Sequence, residues 1–417
     1  MQPSVSSAAS ASKDAKDAHW RNRLQASGNA PLTPDEASAF ATFALDRVSR
    51  TFALNIRALP EPLRDQVLHA YLYCRMADTL EDDAELPAAQ KAALLQVFAA
   101  LFNPELPPHL RAAMSSAFPP MLPEEWHAST AWEKILLVRT PLLLEAFSRV
   151  PEASRRTIAR CVRSMCGGMG DFAMRQEAIQ RQATAQTTAQ TTAQAIGQPA
   201  RALIETVADL DHYCWFVAGT VGEMLCDLFI AHGRIPERRA AILRALGVSF
   251  GTGLQLVNIL KDHAEDGARG VSWLPGAVVA ERGAAATQRL LCLKAMDHLQ
   301  EALTYTLAIP RRHRGLRLFC LWPLLMASET LALIANHSVS QGANPGTNPS
   351  ANPAANRSET PLKINRARVA RIVGSTSLLW WADGLLRAEF EQSARQVRAA
   401  LQVPPTAHTF ADTSGAL

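Results

Sequence analysis

The sequence predicts an all-α protein. Apolar residues recur at helical spacing through most of the 417 residues, and no stretch sustains the alternation of apolar and polar residues that marks a strand. Hydrophobic residues make up 48% of the chain, which is enough for a sizeable core. We therefore expect many long helices around one shared core. A formal net charge of +4, from 42 basic and 38 acidic residues, is too balanced to indicate a nucleic-acid-binding protein.

The ordered part of the chain is predicted to begin near residue 33. Residues 1–32 are small and polar, which predicts disorder, and they lack the apolar core of a secretory signal. The stretch Thr33-Pro34-Asp35-Glu36 is typical of a helix start, with a threonine N-cap, a proline at the first helical position and acids in the first turn. Helical patterns continue from there, and we predict a single domain over residues 33–402.

Low-complexity segments interrupt this domain twice. Residues 182–198 contain an uncharged Ala-Gln-Thr-Thr repeat, and residues 337–360 contain three Asn-Pro pairs, so we predict a surface insertion at each place. The six prolines between Pro104 and Pro123 predict a segment that is mostly loop. Residues 403–417 are predicted to be a flexible tail.

The seven cysteines predict buried free thiols in a reducing cytosol, because there is no CxxC pair and most lie in apolar runs. No apolar run approaches the ~20 residues needed to cross a bilayer. We expect a cytoplasmic protein that is soluble or attached peripherally to a membrane surface. The segment 378–387 is too short and too charged to span a membrane. Packing against the core is the favoured interpretation of this segment, and resting on a membrane surface is the alternative.

A first acidic cluster lies in the stretch from Tyr71 to Asp83, which has the pattern of a helix that faces the protein interior. Asp78, Glu81 and Asp82 are three and four residues apart and fall on one helical face. Like charges at that spacing repel one another, so the cluster predicts a bound cation.

A second acidic cluster repeats the pattern Asp-x-x-Glu-Asp at Asp262, Glu265 and Asp266. Gln255 and Asn258 extend it as a polar stripe on an otherwise apolar helix. A solvated acidic face is the ordinary interpretation of either cluster alone, but two such clusters favour a metal site.

The two clusters together predict a prenyl diphosphate substrate. Magnesium prefers oxygen ligands and is commonly shared between one or two carboxylates and substrate phosphates. Magnesium ions between two facing acidic walls would neutralise the charge that grows on a departing diphosphate. The aliphatic surroundings of the clusters predict that the other end of the substrate is a hydrocarbon.

Four motifs in order resemble the squalene/phytoene synthase family, the head-to-head prenyl transferases. They run from Ser49 to Leu54, from Tyr71 to Asp83, from Tyr213 to Gly222, and from Gln255 to Asp266 with the following Trp273-Leu274-Pro275. The resemblance covers roughly residues 40–335 and continues more weakly to about residue 375. It implies an isoprenoid-synthase-type helical bundle around a central cavity.

The resemblance also implies roles for individual residues. The two clusters would hold magnesium and the diphosphates through Asp78, Glu81, Asp82, Asp262 and Asp266. Tyr71 and Tyr213 would face the reacting carbons, steady cations and assist proton removal. Substrate contacts are implied for Ser49, Arg50, Phe52, Arg75, Val217, Gly219, Gln255 and Asn258. Ordinary core packing stays open for the two tyrosines and for Phe52, and helix packing is favoured for Gly219 and Gly222.

The family branches after a common condensation that joins two prenyl diphosphates into a cyclopropyl diphosphate. The stretches 319–323 and 361–366 resemble squalene synthase elements and favour reduction by NADPH to squalene. The resemblance assigns NADPH to Arg50, Arg75, Asn258, Lys363 and Arg366. Sister enzymes stop at presqualene diphosphate or give dehydrosqualene or phytoene without NADPH. A non-catalytic helical scaffold is an alternative from another class, against which the intact carboxylates argue.

Two departures from the family pattern touch the cofactor side. Val271 stands where the family usually carries an arginine, with Arg269 two residues earlier, and Asn365 replaces the second basic residue of the Lys-Ile segment. The expected partners are two farnesyl diphosphates and no nucleic acid, and the expected oligomeric state is a monomer.

Overall fold

The computed structural model describes residues 5–26, 32–49, 51–188, 201–342, 362 and 364–402. Most of these residues lie in helices, which confirms the all-α prediction. Their only strands are two-residue segments, β1 (Arg201–Ala202) and β2 (Val271–Ser272), which pair in parallel. The chain divides into two compact units, and the single domain over residues 33–402 stays a prediction. The boundary between Gly170 and Asp171 falls inside the continuous helix Glu152–Thr188, so the helical pattern gives no signal of it.

The first unit comprises Met1–Ile56 and Glu61–Gly170. Its centre is α4, which packs against α2, α5 and α8 and carries the first acidic cluster. The helices are α1 (Val5–Ala26), α2 (Pro34–Val48), α3 (Thr51–Arg57), α4 (Leu63–Asp82), α5 (Ala88–Leu101), α6 (Pro108–Ala117), α7 (Glu124–His127), α8 (Trp132–Val138), α9 (Thr140–Phe147) and the start of α10 (Glu152–Thr188).

Two predictions for the first unit are wrong. Residues 5–26 are not disordered but form α1, because Trp20 packs on Phe40 with ring centroids 5.4 Å apart and Leu24 is buried. The proline-rich stretch is not mostly loop, because Pro108 occupies a first-turn position where a missing N–H costs nothing and so begins α6. The helix start at Thr33 is confirmed, and Thr33 and Glu36 form a complete capping box.

The second unit comprises Arg57–Pro60 and Asp171–Leu417. Its long helix α13 packs along α15 and α12 and carries the second acidic cluster, while α16 packs against α15 and α18. The helices are α11 (Val207–Cys214), α12 (Thr220–Gly233), α13 (Glu237–Ala268), α14 (Gly276–Arg282), α15 (Ala284–Ala308), α16 (Arg314–Gly342), α17 (Arg366–Leu379) and α18 (Asp383–Ala400).

Glycines allow α12 and α13 to approach backbone to backbone. A Cβ built on Gly222 would lie 2.0 Å from the carbonyl oxygen of Gly247. A Cβ on Gly251 would lie equally close, at 2.0 Å, to the carbonyl oxygen of Ala218. No side chain fits at either place, so the helix-packing interpretation of Gly222 is supported.

Within the part of the chain that the structure describes, three segments are long and apolar enough to cross a membrane by length and composition, namely Val207–Gly233, Glu237–Ala268 and Arg314–His337. The prediction that no stretch reaches that length is therefore wrong. A helix buried in a protein core is hydrophobic all round, as a membrane span is. Within the most apolar stretch of Arg314–His337, 89% of the residues are buried inside the protein.

The predicted insertions are helical where the structure describes them. Helix α10 continues to Thr188 and α16 continues to Gly342. Residues 189–200, 343–361 and 403–417 lie outside the described residues, so the rest of both insertions and the tail remain predictions. All seven cysteines are free and buried, which confirms the prediction of buried thiols.

Candidate active site

The first acidic cluster occupies the last two turns of α4, where Asp78 and Glu81 are half-buried and Asp82 is exposed. Burial, reinforced by the Asp82 carboxylate, raises the pKa of Asp78 to about 7. Burial, reinforced by the carboxylates of Asp82 and Asp78, also raises the pKa of Glu81 well above its usual value. Nearby lysines contact other atoms: Lys134 lies 3.3 Å from Asp83, and Lys91 donates to the backbone oxygen of Glu81 at 2.5 Å. A bound cation would favour the charged forms of Asp78 and Glu81, so these two carboxyl groups fit a cation site.

Arg75 lies one turn before Asp78 on α4 and has an unsatisfied donor. Its Nη2 is 3.9 Å from Glu133, at the limit of an ion pair. Its Nε is buried and has no hydrogen-bond partner within the described part of the chain. A buried donor without a partner costs free energy, and a guanidinium suits phosphate oxygens. Arg75 therefore fits a contact with a diphosphate.

Three residues of the predicted site meet beside α4. Ser49 ends α2, and its Oγ accepts the backbone N–H of Phe52 at 3.0 Å. The Phe52 ring lies 5.4 Å from the Tyr71 ring. Burial raises the pKa of Tyr71, while a hydrogen bond with Ser49 and the nearby Arg75 lower it. Arg50, between Ser49 and α3, lies outside the described residues.

Tyr213, in the second unit, is buried within an aromatic group. Its ring centroid lies 4.4 Å from that of Trp273, 4.7 Å from that of Phe172 and 5.3 Å from that of Phe216. Trp273 and Phe172 stack at 5.5 Å with an interplanar angle of 12°. The motif residues Tyr213 and Trp273, 60 positions apart in the chain, thus share one aromatic wall.

A π-helical turn at Trp215–Gly219 joins α11 to α12 and contains Val217 and Gly219. Such turns are rare and frequently lie at functional sites. Sequence reasoning missed this turn, because its residues have the periodicity of an ordinary helix. A Cβ on Gly219 would lie 3.1 Å from both Trp215 and Val248, so this glycine also relieves crowding between helices.

The second acidic cluster ends α13, and its carboxylates have cationic neighbours. Lys261 Nζ lies 3.2 Å from both Asp262 Oδ2 and Asn258 Oδ1. Arg269 donates to Asp266 Oδ1 at 2.9 Å. Burial nevertheless raises the pKa of Asp266, which Arg269 opposes and Asp262 reinforces. Asp266 is buried, Gln255 and Asp262 are half-buried and Asn258 is exposed, so the polar stripe runs along the edge of the packed core.

Both sets of donors fit shared magnesium sites. No three His, Cys, Asp or Glu side chains of the described ranges lie close enough together to hold a metal ion by themselves. Magnesium, however, is usually held by one or two carboxylates together with substrate phosphates and water. Partly buried carboxylates with raised pKa values are the groups that such an ion would stabilise in their charged form.

The predicted cofactor side is only partly described. Lys363 lies outside the described residues, and Arg366 is exposed at the start of α17. Asn365, the departure from the family pattern, is the N-cap of α17, and its side chain accepts the N–H of Arg368 at 2.9 Å. Val271, the other departure, lies in β2 opposite Arg201.

The squalene synthase-like element at 319–323 lies within the buried helix α16, which contains Pro323. Phe319 packs edge-on against Phe229 at 5.5 Å, and Trp322 donates to Thr376 Oγ1 at 2.9 Å. These contacts are core packing between α16 and its neighbours. The element is therefore part of the core of the second unit.

A cleft of about 650 Å³ in the first unit contains none of the predicted site residues. It is lined by residues of α5, α6, α9 and α10, among them Phe102, Arg111, Phe147 and Arg155. The predicted site residues are distributed over both units, and the facing of the two acidic clusters stays a prediction.

The chain belongs to the squalene/phytoene synthase family, whose pattern it matches over residues 45–341. All four sequence motifs fall within that range, so the resemblance read from them is confirmed. The chain also has the fold of a solved squalene synthase: it aligns with a TcSQS complex with the ligand E5700 at a TM-score of 0.61 and 23% identity, over 88% of this chain and 99% of that one. This likeness confirms the isoprenoid-synthase-type fold class.

Among its relatives, the chain is squalene synthase-like. It is 28% identical to a squalene synthase of Nicotiana benthamiana over 321 residues, which are 72% of this chain and 66% of the relative. It is 27% identical to squalene synthase 1 of Arabidopsis thaliana over 325 residues, which are 73% of this chain and 67% of the relative. The chain thus spans about two thirds of the length of these plant relatives.

Proposed function

We propose that this protein condenses two farnesyl diphosphates head to head through presqualene diphosphate and then reduces the intermediate to squalene with NADPH. The observation that carries the proposal is on α4, where the half-buried Asp78 lies one turn and the half-buried Glu81 nearly two turns from Arg75, whose Nε has no partner among the described residues. Donors for cations and for phosphate oxygens on one helix suit a magnesium diphosphate. Membership of the squalene/phytoene synthase family supports the same chemistry.

The carboxylates of both clusters would hold the metal and the diphosphates through Asp78, Glu81, Asp82, Asp262 and Asp266. Bound magnesium would supply positive charge to the departing diphosphate. Arg75 would donate its Nε to a phosphate oxygen, because a guanidinium fork matches phosphate geometry. Lys261 and Arg269, which already contact Asp262 and Asp266, would keep these carboxylates oriented.

The two tyrosines would act on the hydrocarbon part of the substrate. Tyr71 beside Phe52, and Tyr213 beside Trp273, offer π faces that stabilise a carbocation. Because burial raises the pKa of Tyr71, its hydroxyl stays protonated near neutral pH. Tyr71 would therefore orient groups by hydrogen bonding and accept a proton only from a strongly acidic carbocation.

The reductive step would depend on a separate set of residues. Arg50, Arg75, Asn258, Lys363 and Arg366 would contact the phosphates and amide of NADPH. Arg269 is engaged with Asp266 and Asn365 caps α17, so neither supplies an additional contact. These two observations favour, as a second candidate, a sister enzyme that stops at presqualene diphosphate or releases dehydrosqualene or phytoene without NADPH.

The experiment that separates the candidates incubates the purified chain with farnesyl diphosphate and magnesium, with and without NADPH, and identifies the extracted lipids by mass spectrometry. Squalene formed only with NADPH is the expected result. Dehydrosqualene, or a product pattern that NADPH leaves unchanged, supports the sister enzyme. Geranylgeranyl diphosphate in a parallel reaction tests the substrate length. We further propose a cytoplasmic monomer that contacts a membrane surface to release its hydrocarbon product.

A further inference from the structure

Large apolar side chains are exposed where α17 meets α18. Leu378 is 73% exposed, Leu385 57% and Trp381 52%, and these are the three most exposed large apolar residues of the described chain. Exposed apolar residues scattered singly are ordinary, but a group of them marks a contact surface. The interpretation favoured from the sequence, that this segment packs on the core, does not hold for these three side chains.

A basic loop lies directly against this turn. The loop joins α15 to α16 and reads Arg311-Arg312-His313-Arg314. The Arg314 guanidinium lies 5.0 Å from the centre of the Trp380 ring, and Trp380 Nε1 donates to the backbone oxygen of Arg311 at 3.3 Å. Arg314 also donates to the backbone oxygen of Ser377 at 3.3 Å. The apolar turn and the basic loop therefore form one surface.

Ion pairs connect the turn to the basic loop and to α16. Asp383, the first residue of α18, accepts hydrogen bonds from Arg311 at 2.7 Å and from the fully buried Arg317. A buried charged pair is sensitive to geometry, so it fixes the start of α18. The turn next to this ion-paired start of α18 leaves Leu378, Trp381 and Leu385 exposed.

The positive charge of this surface favours an anionic partner. Across residues 311–314 and 378–387 the one acid is Asp383, against Arg311, Arg312, Arg314 and Arg387, so the loop and turn carry a net positive charge. A second copy of the chain docked symmetrically would bring these arginines against one another, which is unfavourable. Tryptophan and leucine beside arginine suit the boundary between acyl chains and anionic headgroups of a bilayer.

We propose that Leu378, Trp381, Leu385 and the arginines of the 311–314 loop form a docking surface for an anionic lipid membrane. The apolar side chains enter the headgroup region, and the exposed arginines contact lipid phosphates. This inference deepens the membrane contact of the proposed function, on which it rests, by naming the surface that makes it. The docking is peripheral, since only one turn and one loop take part.

The test measures binding of the full chain to sedimented vesicles of phosphatidylcholine alone or mixed with phosphatidylglycerol. We expect binding only to the anionic vesicles, and less binding as NaCl concentration rises. The double variant Trp381→Ser/Leu385→Ser should lower the partition coefficient at least about tenfold. Arg312→Glu should lower it about fivefold or more. Leu110→Ser, at a residue 46% exposed on α6, is the matched control and should bind as the wild type does.

The outcomes distinguish this inference from the proposed function. Condensation of farnesyl diphosphate, measured in detergent without vesicles, should be unchanged in all three variants, because none touches the site. Failure of the wild type to bind anionic vesicles, or equal binding by the double variant, would overturn the inference whatever the enzyme produces. A wild-type dimer that becomes a monomer in the double variant, by light scattering, would also overturn it in favour of a second copy.

Discussion

Replacing Gly222 by alanine should force α12 away from α13. The new Cβ would lie 2.0 Å from the carbonyl oxygen of Gly247 and 2.8 Å from its carbonyl carbon, whereas real contacts of this kind are rarely under 3.0 Å. The helices must separate locally by roughly 1 Å, and backbone on both sides leaves no flexible side chain to yield. Overpacking of this kind costs about 1–3 kcal/mol, and we expect the upper end of that range.

The assay is urea unfolding followed by far-UV circular dichroism, together with the rate of farnesyl diphosphate condensation. Gly374→Ala is the matched control, because Gly374 lies inside α17 with no atom within 4 Å of its built Cβ. There the better helix propensity of alanine should stabilise by about 0.5–1 kcal/mol. Because α13 also carries Asp262 and Asp266, Gly222→Ala should slow condensation as well. If Gly222→Ala were as stable as the wild type, the close approach of the two helices would be wrong.

Three further predictions concern the two units. Asp82→Asn and Asp262→Asn should each abolish condensation, because each removes a carboxylate that would hold magnesium. Asp297→Asn, on the exposed side of α15, is the control and should leave condensation unchanged. Near wild-type turnover in either cluster variant would contradict the magnesium proposal. Burial lowers the pKa of His69 from 6.5 to about 4 in the folded protein. Between pH 4 and pH 6.5 the unfolded state therefore binds a proton that the folded state does not. The free energy of unfolding of the wild type should therefore fall by up to about 3 kcal/mol as pH drops from 6.5 to 4. The measurement is urea unfolding at each pH, and the His69→Gln variant should lack this part of the pH dependence. Asn365→Ala should cost about 1 kcal/mol and speed amide hydrogen exchange at Arg368, whereas Asn365→Asp should keep the cap and the protection.

Local sequence signals determined the helices that carry the chemistry. The acidic clusters lie on α4 and α13 as their spacing predicts, because helical spacing alone sets which side chains share a face. The start of α2 also follows from local chemistry, since the Thr33 and Glu36 side chains satisfy the first backbone donors by themselves. The four motifs were likewise sufficient to identify the family.

Contacts between distant residues decided the rest. Residues 1–32 were predicted to be disordered because their composition is polar. Trp20 nevertheless packs against Phe40, and this contact stabilises α1. The unsatisfied Nε of Arg75 and the aromatic wall around Tyr213 depend on which helices pack together, and no spacing encodes that. Leu378, Trp381 and Leu385 are apolar residues of a segment predicted to pack on the core, yet all three are exposed beside the ion-paired Asp383. The sequence thus determined what each helix carries, while tertiary packing decided which side chains are buried, paired or presented, because burial and pairing depend on neighbours far along the chain.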